Sequence, residues 1–248
     1  MECKKGMLAN MVAGLISAND NRVGLYSFLS TIYSKELTKE TLEEIQEKHI
    51  LWLRLANISK DQDSELAEAF GTLGQFASSL KTESLDKLKL QLDGEYAGLF
   101  LGSGLPSPRP LESVYTSREH LAVQKASDDV SRAYQSAGID KISEFSEPED
   151  HISTELQFMA YLSYKTREAL GNSKLTEANK YLEMQRDFLN DHLTKWVPML
   201  VVDILKKADR QFYKAIAKIT EGYVKIDVRA VSAMIDNLPS SSAVYSKA

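Results

Sequence analysis

Apolar residues return every three or four positions along nearly the whole chain, and this spacing constrains the fold more than any other feature. Leu8, Met11, Val12, Leu15 and Ile16 share one face, and Leu25, Phe28, Leu29 and Ile32 prolong it. The spacing matches the 3.6-residue period of a helix, and no segment sustains the strict alternation of a half-buried strand. Thr41 followed by Glu44 reads as a capping box ahead of Ile45, with Leu51, Leu55 and Ile58 extending that stripe. Further helices are predicted over 64–80, over 84–101, from Thr116 to a stop at Gly138, over 148–170 with a stop at Gly171, and again within 173–236. The expectation is an all-α protein with about nine to eleven helices. They would form a single globular domain over 1–236, followed by a flexible tail over 237–248. No repeat of solenoid length is visible.

Composition narrows the class. A net charge of −5 leaves no basic stripe for a nucleic-acid partner. The single cysteine, Cys3, excludes an internal disulfide and a cysteine-based zinc site. Lys4 and Lys5 ahead of "GMLANMVAGLIS" mimic the start of a signal peptide, but Asn10 interrupts the run and apolar residues continue past it. An amphipathic first helix in a cytoplasmic protein is the expected reading, with no stable membrane insertion.

Two irregular places interrupt the helices, and loops carry function more often than core helices do. The first, within "LFLGSGLPSPRPLESVY" (99–115), is a loop over 102–114 that holds three of the six prolines. The second is a break over 139–148 leading into "SEFSEPEDHISTELQFM" (143–159). There Ser146 and Glu149 read as a capping box, with Pro148 in the first turn of the helix. Residues 140–155 hold six acids and one lysine, a local balance of −5 that suits a basic, partly apolar peptide. His151 shares a helical face with Glu155, Phe158 and Leu162. Beside Asp150, His151 would titrate near neutrality and make binding pH-sensitive. Asp150, His151, Glu155 and a distant His192 could alternatively bind a metal in a helical hydrolase, although no second Glu-x-x-His pair accompanies them. In "FLNDHLTKWVPML" (188–200), Phe188, His192 and Trp196 form a stripe read as core, with Pro198 disturbing the helix. No G-x-S-x-G, phosphate loop or other cofactor motif is present, so no cofactor is expected.

Taken in order, "EYAGLFLGSG…P…ESVY" (95–115), "EPEDHISTELQFM" (147–159) and "FLNDHLTKWVPML" (188–200) closely resemble the TorD/DmsD/NarJ family of redox-enzyme maturation chaperones. "RVGLYSFLSTIYS" is similar to that family's first long helix. The resemblance implies an all-helical cytoplasmic chaperone without catalytic turnover. Its partner would be the N-terminal leader, often a twin-arginine signal peptide, of a molybdopterin-containing oxidoreductase subunit. The leader would be held until the cofactor is inserted, before export or assembly. Members are linked to guanine-nucleotide and molybdopterin binding, but nothing in this sequence shows such a site. The family accommodates both monomers and domain-swapped dimers. Carried over by motif, Tyr96, Leu99 and Phe100 would line a peptide groove, and Pro110, Leu111, Ser113 and Tyr115 would form its loop wall. Pro148, Asp150, His151 and Glu155 would give a polar floor, and Arg22 sits where the first helix carries an arginine. Relatives often place tryptophan where this chain has Leu111.

Overall fold

The computed structural model describes residues 2–82, 84–102, 107–116, 123–139 and 147–239. Among them the chain forms α1 (Glu2–Ser34), α2 (Lys39–Glu47), α3 (His49–Ser59), α4 (Ser64–Ser79), α5 (Leu85–Phe100) and α6 (Glu112–Thr116). It continues through α7 (Val123–Ser136), α8 (Ile152–Gly171), α9 (Leu175–Phe188), α10 (Thr194–Lys207) and α11 (Gln211–Asp236). One π-helical turn, Leu189–Leu193, joins α9 to α10. The all-α expectation holds among the described residues.

Local chemistry explains most of the boundaries. Asp63 caps α4 by accepting from the Leu66 amide at 3.0 Å. Gly138, at φ +82°, ends α7 as predicted. Its amide bonds back to Gln135 at 2.9 Å, and the Ile139 amide returns to Tyr134 at 3.1 Å, which satisfies two of the last carbonyls.

Other boundaries differ from the sequence reading. Thr38, not Thr41, caps α2, with its hydroxyl accepting from the Thr41 amide at 3.2 Å. The chain then breaks at Lys48, so α3 starts in a new phase. It buries Trp52 and leaves Leu51 and Ile58 46% and 63% exposed. The end of the proline-rich loop is helical, because 112–116 forms α6. Leu238 packs on the core and Pro239 is buried, while 240–248 lie outside the described residues.

α8 is the central helix. From Ile152 to Leu156 every residue is buried, and α1 and α9 pack along its length. Most polar groups of a helix enclosed on several sides are satisfied internally. Ser163 and Thr166 do so through Met159 and Leu162 carbonyls and through Gln185 of α9. α11 packs on α4 and α10, and the first and last long helices meet at Arg22 and Asp227.

Candidate functional site

The end of the proline-rich loop and the turn before α8 are tied by backbone. Glu112 N–H donates to the Asp150 carbonyl at 2.9 Å, and Ile152 N–H donates to the Pro110 carbonyl at 2.9 Å. Leu111 and His151 thus form an isolated antiparallel bridge. Side chains reinforce the tie. Asp150 Oδ2 accepts from the Ser113 amide at 3.0 Å and so caps α6 from across the junction. Ser107 Oγ donates to the Leu99 carbonyl at 2.7 Å and anchors the loop's middle to the end of α5.

The chain turns through Glu149 and Asp150, with the His151 amide bonded to the Pro148 carbonyl at 3.1 Å, and His151, drawn into the bridge, is extended, so that α8 begins at Ile152. The predicted Ser146–Glu149 cap is therefore replaced by His151 as N-cap; Ser146 lies outside the described residues. His151 Nδ1 accepts from the Ser153 amide at 3.2 Å and lies 2.6 Å from the Ser153 hydroxyl. Pro148 precedes the helix and is exposed. The imidazole is 6% exposed, and burial holds its pKa down to about 4 against the pull of Asp150. Glu147 comes within 3.9 Å of Nε2, too far for a hydrogen bond, and desolvation prevails there too. The expected titration of His151 near neutrality is thereby overturned.

Beneath the bridge sits a group of buried acids. Glu155, wholly buried, accepts from Trp196 Nε1 at 3.1 Å. Burial first, and then the neighbouring Glu112 and Asp150, push its carboxyl well above the usual range. Glu112, 4% exposed, is bonded to His192 Nδ1 at 2.8 Å. Ser113 Oγ, Thr154 Oγ1 and Glu155 Oε1 are buried and have no hydrogen-bond partner among the described residues. Over this group Tyr115 stacks on Trp196 with centroids 5.8 Å apart and reaches Asp203 of α10 at 3.3 Å.

The remaining carried-over residues divide. Phe100 is half-buried among Tyr33, Tyr96 and Tyr213, at 5.7, 5.1 and 6.1 Å. Tyr96 and Leu99 are buried, and the Tyr96 hydroxyl donates to the Tyr33 carbonyl. Pro110 is buried and Leu111 half-buried at the bridge. Arg22 is not part of this junction: its Nε and Nη2 each donate to Asp227 at 2.8 Å, and its Nη1 donates to Asn19. The polar floor is closed as it stands, since Asp150 and Glu155 are turned inward, with Glu147 and Glu149 at the rim. The four metal-donor candidates face separate partners: the Ser113 amide, Ser153, Trp196 and Glu112. Among the described residues no set of three or more such groups is arranged to hold a metal.

A family model described as the nitrate reductase delta subunit matches residues 59–202, which span the loop, the bridge, α8 and the π-turn. The chain belongs to this family. Chaperone protein TorD of Aliivibrio salmonicida is 28% identical over 213 residues, covering 85% of this chain and 94% of the relative. TorD of Aliivibrio fischeri is 27% identical, with 87% and 96% covered. A solved structure described as a redox enzyme maturation protein, from Archaeoglobus fulgidus, covers 82% of this chain at 20% identity and a TM-score of 0.43. Over most of its length the chain is thus similar to chaperones named TorD, and the nitrate reductase delta subunit match leaves Arg22 outside.

Sequence reasoning missed two members of the junction. Glu112 stood in plain view in "RPLESVY", but its partner lies 80 residues away. Tyr134, whose hydroxyl donates to the Glu149 carbonyl at 2.8 Å, carried no signal beyond helical phase.

Proposed function

We propose that this protein is a cytoplasmic maturation chaperone that binds the N-terminal leader of a molybdopterin oxidoreductase subunit. It would hold that subunit for cofactor insertion before export or assembly. The observation that carries the reading is the Leu111–His151 bridge, which joins two widely separated stretches of the family resemblance into one surface feature. Beside it, Val114 on α6 and Met199 and Val202 on the contacting α10 are 41%, 41% and 49% exposed. An apolar leader segment fits that surface, with its basic residues toward Glu147 and Glu149. Each exposed charge pair contributes only ~0–1 kcal/mol, so apolar burial must supply most of the affinity.

Calorimetry with the N-terminal leader peptide of a molybdopterin oxidoreductase subunit from the same genome tests the reading. Saturable binding is expected, weakened at least tenfold in Val114→Glu and Met199→Glu with helicity unchanged. Absence of binding to the native protein would overturn it. A leader with its arginine pair changed to lysines separates an export-linked chaperone, which loses affinity, from an assembly factor that ignores the pair.

A further inference from the structure

The π-turn opens a second feature on the far side of His192. A cavity of about 140 Å³ lies between α7, α8, α9 and the turn, far more than the ~15 Å³ that one water needs. Phe158, Met184 and Phe188 wall it, Asp187 and Asp191 stand at its mouth, and His192 closes one side. The extra residue of a π-turn leaves its side chains off the regular helical phase, and such turns recur at functional sites. Here the turn stacks His192 on Phe188 at 4.6 Å while directing Nδ1 to Glu112.

The lining has a definite chemistry. Aromatic and thioether walls accept an alkyl stem and the face of a delocalised cation. The two exposed carboxylates accept its charge. Their neighbours Arg186 and Lys195 engage only Oδ1 of each, at 2.9 and 3.3 Å, and both pairs are solvent-exposed and exchangeable. We infer that this cavity is a subsite for an arginine side chain of a bound polypeptide, its guanidinium between Asp187 and Asp191 and its stem against Met184 and Phe188. This rests on the peptide-binding reading above and adds where one basic residue is received. Occupancy is felt at the loop, because His192 contacts both the cavity and Glu112, the first residue of α6.

The test uses the full chain with ¹³C-methyl methionine and N-acetyl-arginine amide as probe. The Met184 methyl resonance should shift saturably with the arginine amide and not with N-acetyl-norleucine amide. The apparent affinity should fall at least tenfold in the surface double variant Asp187→Asn/Asp191→Asn. No saturable shift, an equal response to norleucine, or an unchanged affinity in the double variant would overturn the inference. The leader peptide separates the two readings. If it binds while Met184 stays silent, the subsite fails and the chaperone reading stands. If arginine binds and the leader does not, the reverse holds.

Discussion

Acidifying the solution from pH 7 to pH 4 charges His151 only at the expense of the fold. In an unfolded chain the imidazole titrates near 6.5, but in the folded protein burial holds it to about 4. Between those values the unfolded state binds a proton that the folded state refuses, so stability falls as pH falls. The span of roughly 2.5 units, at about 1.4 kcal/mol each, amounts to about 3.5 kcal/mol, of which about 3 kcal/mol is lost on reaching pH 4. Above pH 6.5 the effect vanishes, and near pH 4 it levels off. His151→Asn keeps an N-cap for α8 and removes the titration. Urea unfolding followed by circular dichroism from pH 4 to pH 7.5 should show the variant losing about 3 kcal/mol less than wild type. Glu155 and the other acids titrate in both proteins and largely cancel in the difference. Parallel profiles would refute the argument that the N-cap imidazole is held neutral by burial.

Three other outcomes follow from the packing of the helices. Arg22→Ala should cost about 3–5 kcal/mol in urea unfolding by stranding a buried Asp227, and Arg22→Met/Asp227→Leu should recover most of it. Glu155→Gln should raise the urea midpoint at pH 7.5, because burial and Glu112 raise the native carboxyl's pKa and folding then penalises its ionised form. That gain should shrink toward zero as pH falls to the unfolded carboxyl range. A pair of glycine substitutions should differ in sign by thermal unfolding. Gly94→Ala, with open space around its new methyl, should gain about 0.5–1 kcal/mol. Gly74→Ala, whose methyl would lie 2.7 Å from Leu53 Cδ2 and 3.3 Å from the Leu53 amide nitrogen, should lose about 1–2 kcal/mol.

The sequence disclosed most where local chemistry decides. α4, α5 and the Gly138 stop were legible because a cap or a left-handed residue marks each of them. It misled where a distant partner decides. The Ser146–Glu149 pattern has the form of a helix start, but backbone bonding to Pro110 and Glu112 delays α8 to Ile152. Leu51 and Ile58 fitted a continuous stripe that the Lys48 break rephases around Trp52. The core reading of the Phe188, His192 and Trp196 stripe agrees with their burial, yet the π-turn leaves no mark in residue types. The two irregular segments were identified from proline and charge content. Their union through Leu111 and His151, and the inward turn of the acids, depend on tertiary packing that periodicity does not report.

Arg22 and Asp227 are 205 residues apart in the chain. During synthesis at about 5–20 residues per second, the cation emerges roughly 10–40 seconds before its counterion. Until then the first helix cannot bury that face without stranding a charge, so its final docking waits for the last helix to leave the ribosome. The newborn chain would itself spend that interval with an unsealed seam.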